Sequence, residues 1–293
     1  MLSIIKKKKE VNKVVKTLKT FLLMLILTLV LLLLGNAIGG ERGALFALIF
    51  AGAMNFISYW YSDKIVLSMY RAQPIDSSHP IYKIVEKLAK KGNLPMPKVY
   101  MINEQQPNAF ATGRNPSHAA VAVTRGLYEL MDENELAGVI GHELGHVSNR
   151  DILISSVAAT LAGAIAYLAN MAKWMAIFRG NDREERNNNA GVMLFASIFA
   201  PIAAMLVQMA ISRTREFKAD EYGAKISGNP RFLANALKKL EMYSQRIPMD
   251  ANPATENMFI VSPLAGNKLA NLFSTHPRTS DRIKRLEEMA RGE

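Results

Sequence analysis

The chain has 293 residues, 36 Lys and Arg against 25 Asp and Glu for a formal net charge of +11, 49% hydrophobic residues and no cysteine. That length fits one or two domains with a sizeable core. The missing cysteine excludes a disulfide framework, an iron–sulfur cluster, a cysteine-ligated zinc site and a cysteine nucleophile.

A mean hydropathy of +0.05 beside so many charges points to apolar and charged residues kept in separate segments. The N-terminus is basic, with Lys6, Lys7, Lys8, Lys9, Lys13, Lys16 and Lys19 against the single acid Glu10. Directly after it, Phe21 to Leu34 reads FLLMLILTLVLLLL, and the uncharged stretch runs on to Gly40. A bilayer core needs about 20 apolar helical residues. The run exceeds the roughly 7–15 residues of a signal-peptide core, so it reads as a membrane span. Gly43 to Tyr61 is a second uncharged run, separated from the first by Glu41 and Arg42 and ending in Tyr59, Trp60 and Tyr61. Tyr and Trp collect at membrane interfaces. Residues 21–62 therefore predict a helical transmembrane hairpin.

Third and fourth runs extend from Ile152 to about Phe178 and from Gly191 to Ile211. Their Ala and Gly content suits helix packing in a bilayer or, alternatively, a buried helical hairpin. Four spans and a lysine-rich start place both termini on the cytoplasmic side of a cell membrane. The position of the lysines beside a span assigns them to lipid headgroups and topology rather than to nucleic acid.

The polar segments 64–151 and 212–293 then share one side and are expected to form a single domain. Pro80 to Lys91 has a helical apolar period in Ile81, Ile84, Val85 and Leu88. Lys98–Ile102 and His118–Thr124 read as short strands, and Thr124–Met131 as a short helix. Asp132 and Glu135 form an Asp-x-x-Glu cap for a long helix. Later helices are expected over Arg213–Ser227, stopped by Gly228-Asn229-Pro230, over Phe232–Ser244 and over Thr279–Ala290, with a loop-like stretch from 246 to 270.

The capped helix carries His142-Glu143-Leu144-Gly145-His146. Positions i and i+4 share a helix face, so both imidazoles can reach one metal ion at about 2.0–2.1 Å. Glu143, one residue round the helix, is placed to act on a water rather than on the metal. A catalytic zinc needs a third protein ligand and an open position. The H-x-x-G-x-x-H continuation is absent, because Asn149 and Ile152 stand where its Gly and His would be. The best third ligand is Glu216. Asp220, again four residues on, is suited to accept the second N–H of a ligand histidine. An alternative for Glu216 is a surface ion pair with Arg213, Arg215 or Lys218.

HELGH, two apolar runs, SRTREFKAD and the STHP near the C-terminus, together with the NAFATG segment, resemble the HtpX-type membrane zinc metalloproteases, relatives of the eukaryotic CAAX prenyl proteases. The resemblance covers essentially the whole chain. It implies a mainly α fold with a small β-sheet (α+β), a gluzincin-type zinc metallopeptidase domain on a four-helix transmembrane region. It implies one Zn2+ bound by His142, His146 and Glu216, and Glu143 as general base. It also implies an oxyanion-stabilising role for His276 and Arg282, and polypeptide substrates drawn from misfolded or membrane proteins in quality control. A prenyl-protein processing protease and a non-enzymatic membrane scaffold with structural zinc are the alternatives.

Two expectations come from the residues themselves. A peptide substrate adds as a strand to an edge at His118–Thr124, with Asn108–Gly113 adjoining. The metal lies just above the cytoplasmic face, since His142 is about 10 residues, or roughly 15 Å of helix, before the third run.

Overall fold

The computed structural model describes residues 2–162, 212–246, 260 and 277–292. The third and fourth apolar runs beyond residue 162, and most of the 246–270 stretch, lie outside the described residues.

Helix α1 (Leu2–Met69) is two helical arms joined at Gly39 and Gly40. Gly40 has φ 56° and ψ −146°, a conformation that a residue with a Cβ adopts only under strain. The arms return antiparallel. Phe21 stacks on Tyr59 with ring centroids 6.5 Å apart, and Asn55 Nδ2 donates to Thr28 Oγ1 at 2.9 Å. Near the turn, a Cβ on Gly35 would stand 2.5 Å from the Gly43 carbonyl oxygen. The first two apolar runs therefore lie in a helical hairpin. Among the described residues one segment, Gly39–Met69 of 31 residues, is long and apolar enough to cross a membrane, and Thr20–Leu33 is a shorter apolar helix. The outer face exposes Leu33, Phe46 and Ile49, the inverse of a water-soluble helix pair.

The second arm does not stop at the aromatic residues. It continues without a break to Met69, and Val66 and Leu67 are buried with Ile102, Phe110, Ala120 and Ala122 of the sheet. Four strands follow in chain order: β1 (Gln73–Pro74), β2 (Lys98–Ile102), β3 (Ala109–Gly113) and β4 (Ala119–Thr124). Their spatial order is β1-β2-β4-β3. β1 and β2 are antiparallel, β2 and β4 parallel, and β3 and β4 antiparallel with Ala111 opposite Val121. β4 is thus an interior strand and β3 an edge. This corrects the expectation that His118–Thr124 offers the free edge, since both of its sides are already paired; residues 116–118 form a 3-10 turn ahead of it.

Helix α2 (Pro80–Lys91) starts with His79 as N-cap and buries Ile81, Ile84, Val85, Leu88 and Ala89, the face set by its apolar spacing. After α3 (Arg125–Leu130), α4 (Glu133–Asn149) opens with the full capping box. Asp132 Oδ1 accepts from the Glu135 N–H at 2.9 Å, and Glu135 Oε2 accepts from the Asp132 N–H at 3.0 Å. The short apolar helix α5 (Ile152–Ala162) follows. Its Leu153, Ile154, Val157 and Leu161 pack against Met24 and Leu27 of the hairpin.

Helix α6 (Arg213–Ser227) ends at left-handed Gly228, and α7 (Pro230–Arg246) begins on the proline itself, which suits a first helical position. Helix α8 (Thr279–Arg291) closes the chain.

Two cores flank the sheet. Val99, Ala109, Ala111, Val121 and Val123 face α2, α4, α6 and α7. Strand residues two apart share a face, so Phe110, Ala120 and Ala122 turn the other way, toward the end of α1 and Ala159 of α5. The sheet separates the hairpin from the helices that bear HELGH.

Candidate metal centre

Helices α4 and α6 lie backbone to backbone, which brings their polar side chains together. A Cβ on Gly145 would stand 2.8 Å from the Ala219 Cα, and one on Gly223 would stand 2.6 Å from the His142 amide nitrogen. At that approach His142 and His146, one helical turn apart on α4, meet Glu216 from the first turn of α6.

Their donor atoms form a small triangle. The two Nε2 atoms are 3.2 Å apart. His142 Nε2 is 3.6 Å from Glu216 Oε2, and His146 Nε2 is 3.5 Å from Glu216 Oε1. Three ligands at about 2.0–2.1 Å from one tetrahedral ion stand about 3.3 Å apart, so this triangle fits an ion with little rearrangement. The three residues form a group able to hold a metal.

Tautomers and charge point the same way. His142 Nδ1 is 2.8 Å from Asp220 Oδ1, and His146 Nδ1 is 3.6 Å from Asp151 Oδ2. Carboxylates on that side hold a proton on each Nδ1. In the metal-free chain the protonated His146 turns its Nε2–H to the His142 Nε2 at 3.2 Å, and a bound cation takes the place of that proton. The carboxylates of Glu143, Asp151, Glu216 and Asp220 stand against the guanidinium groups of Arg215 and Arg282, an excess of two negative charges that a dication neutralises.

The titration of the chain by itself reflects this excess. Burial lowers the His142 pKa, and the Arg282 charge adds to that; Asp220 only partly opposes it. For His146 burial works against protonation, but Glu216, Asp151 and Glu143 outweigh it and raise the pKa to about 9. A bound dication inverts that shift, since a ligating imidazole must be unprotonated. Burial raises the Glu143 pKa to about 7, with the His146 charge opposing and Glu216 assisting. A carboxyl poised near neutrality suits a general base.

Glu143 is fixed from the sheet, since its Oε2 accepts from the Ala111 N–H of edge strand β3 at 2.9 Å. Asp220 is buried; burial favours its protonation, but Arg282 and the His142 bond outweigh it and hold the carboxyl below the ordinary value. Arg282, also buried, grips Asp220 with two bonds, Nε to Oδ2 at 2.9 Å and Nη2 to Oδ1 at 2.7 Å. Its Nη1 donates to the Ile260 carbonyl at 2.7 Å and stands 4.0 Å from Glu216 Oε2.

Six of the seven residues singled out by sequence thus converge: His142, Glu143, His146, Glu216, Asp220 and Arg282. The seventh, His276, lies outside the described residues. The tie between Glu143 and β3 was not legible, because it depends on which strand forms the edge. Asp151, buried beside His146, belongs to no motif that marks it in the sequence.

The model of peptidase family M48 matches residues 77–290. A protease HtpX homolog of Desulfatibacillum aliphaticivorans is 59% identical over 273 residues, covering 92% of this chain and 88% of that relative. Protease HtpX of Legionella pneumophila (strain Corby) is 51% identical over 278 residues, covering 94% and 99%. The crystal structure of S. mikatae Ste24p aligns with a TM-score of 0.52 at 18% identity, over 96% of this chain and 67% of that one, a likeness of fold.

Proposed function

This chain belongs to peptidase family M48, and we propose that it is a zinc-dependent endopeptidase that cleaves misfolded or membrane-associated polypeptides at the cytoplasmic face of a membrane. That it is a membrane metalloprotease, a hydrolase of peptide bonds, follows from the family and from relatives more than 50% identical over nearly their whole length. The observation that carries the finer reading is the triangle of His142, His146 and Glu216 donors with Glu143 beside it, tied to an edge strand.

In this reading the three triangle residues hold Zn2+, which supplies Lewis acidity toward a scissile carbonyl and toward water. Glu143 accepts the proton of the attacking water and delivers it to the departing amine. In the free protein the Ala111 N–H holds the Glu143 carboxylate in place. A substrate added as a strand along β3 lies beside Glu143, and pairing there exchanges the bonds that the Ala111 and Gly113 N–H groups make to Glu143 and Ser156. Asp220 orients His142, and Arg282 orients Asp220; three of its five N–H groups go to Asp220 and Ile260, so its part is to hold the site in shape. His276 is kept as the group that stabilises the oxyanion. The lysine-rich N-terminus and the protease domain face the cytoplasm, with segments 152–211 crossing the membrane twice more.

Glu143→Gln tests the chemistry. It keeps size and hydrogen bonding but cannot take the proton. The purified variant should retain zinc and lose peptidase activity toward casein by about 10²–10⁴-fold. Near wild-type cleavage that remains chelator-sensitive would assign the base to another residue. Orientation is tested in the same cysteine-free chain. A Cys at Ser78 should label only after permeabilisation, and one at Glu41 without it.

A further inference from the structure

We propose that Asp151 is the positioning residue for His146, with Arg215 holding Asp151 in turn. The proposal rests on the reading of His146 as a metal ligand. Helix α4 ends at Asn149, and Arg150 turns into the left-handed region at φ 58° and ψ 35°, a conformation that a residue with a Cβ seldom adopts. The turn folds the chain back under the last helical turn, where the Asp151 N–H donates to the His146 carbonyl at 2.9 Å. Its carboxylate then faces the ring, with Oδ2 3.6 Å from Nδ1.

Asp151 is only 2% exposed, and a buried carboxylate persists only with compensating charge or hydrogen bonds. One compensating group is Arg215, whose Nη1 is 4.0 Å from Asp151 Oδ1. Arg215 precedes Glu216 on α6, so the Asp151 carboxylate bridges the two helices that carry the ligand set.

The arrangement repeats that of the other histidine. His142 is backed by Asp220 and Asp220 by Arg282; His146 is backed by Asp151 and Asp151 by Arg215. In each case an imidazole, a carboxylate and a guanidinium stand in line behind an Nε2 that faces the metal position. Such outer partners fix the ring and its tautomer and raise the basicity of the ligand. The His146 line is looser. At 3.6 Å the carboxylate acts on the ring as a charge, and closing by about 0.5 Å makes it a direct hydrogen bond.

The test uses the full chain in detergent, with Zn2+ affinity measured against a chromophoric chelator and with Co2+ as a spectroscopic probe. Asp151→Ala should bind Zn2+ about 10–100-fold more weakly and shift the Co2+ absorption bands, a loss larger than any fall in the metal-free melting temperature accounts for. Asp151→Asn keeps an oxygen that accepts from Nδ1–H and should recover most of the affinity. Arg215→Gln should weaken binding less than Asp151→Ala. If Asp151→Ala does not fold, the Asn and Gln variants decide: wild-type affinity and Co2+ spectrum in both would overturn the proposal. It is also overturned if Asp151→Ala matches wild type in both readouts, or if the Ala and Asn variants fall together with the metal-free melting temperature. His146→Ala separates the two levels. Loss of metal there but not in Asp151→Ala sinks this proposal alone, whereas retention of metal in His146→Ala sinks the ligand assignment with it.

Discussion

The arms of α1 and the α4–α6 pair both meet backbone to backbone through small residues, the first at Gly35 and Gly43 and the second at Gly145, Ala219 and Gly223. The hairpin turns Leu33, Phe46 and Ile49 outward and keeps an interhelical hydrogen-bonding unit, Asn55 with Thr28 and the Met24 carbonyl, inside. The α4–α6 pair buries His142, Glu143, Glu216 and Asp220. Close approach is the same device in both. In the hairpin it gains van der Waals contact where water gives no driving force. In the protease domain it sets the separation of the three candidate metal donors.

The comparison breaks first at the metal. Glu216→Ala should lose zinc as completely as His142→Ala, since three protein ligands define an open catalytic site. Asp220→Ala should weaken binding by about 10–100-fold. Metal analysis of the purified proteins checks both, and full occupancy in the Glu216 variant would remove it from the site.

Glycine substitutions sharpen the contrast. Gly145→Ala should destabilise by about 1–3 kcal/mol through overpacking and weaken zinc binding as well, because α6 must move away from α4. Gly35→Ala meets the Gly43 carbonyl oxygen and the Ala47 side chain and should destabilise by a similar amount with zinc affinity unchanged. Equal losses of metal affinity in the two variants would show that the regions are mechanically coupled.

Acidity separates the regions again. In the metal-free chain Glu143 is raised from 4.5 to about 7 and His146 from 6.5 to about 9. The folded state therefore holds more protons than the unfolded state between these values, and stability falls as pH rises. For His146 the contribution is full below about 6.5 and is lost through about 9. The lowered His142 pKa has the opposite sign and acts below about 6.5, so melting of the metal-free protein should decline from about pH 6.5 to 9, and saturating Zn2+ should flatten the decline. A flat metal-free profile would contradict the assignment of these two groups.

The smallest effect belongs to the hairpin. Asn55→Ala should cost about 0.6 kcal/mol, the usual value for an interhelical hydrogen bond in a membrane, and leave peptidase activity untouched. Thermal unfolding in detergent together with the casein assay measures both.

Local chemistry wrote much of this protein into its sequence. The Asp132–Glu135 capping box, the buried face of α2 and the stop at Gly228 depend on neighbours within one or two helical turns, so the pattern of residues displays them. The same reach makes His142 and His146 legible as a candidate ligand pair, and Glu216 and Asp220 as a candidate ligand and an outer partner on one helix face. Contacts between distant segments were decided only in three dimensions. Strand order placed β4 inside the sheet and β3 at its edge, because pairing depends on which segments collapse together and alternation within a strand cannot encode it. The grip of Arg282 on Asp220 spans 62 residues, and the bond from Ala111 to Glu143 spans 32. Asp151 is near His146 in sequence, yet it is the left-handed turn at Arg150 that aims it at the ring. The residue types for metal chemistry were present in the string of letters, but the 3.2–3.6 Å triangle exists only because small side chains let two helices, more than 60 residues apart along the chain, touch.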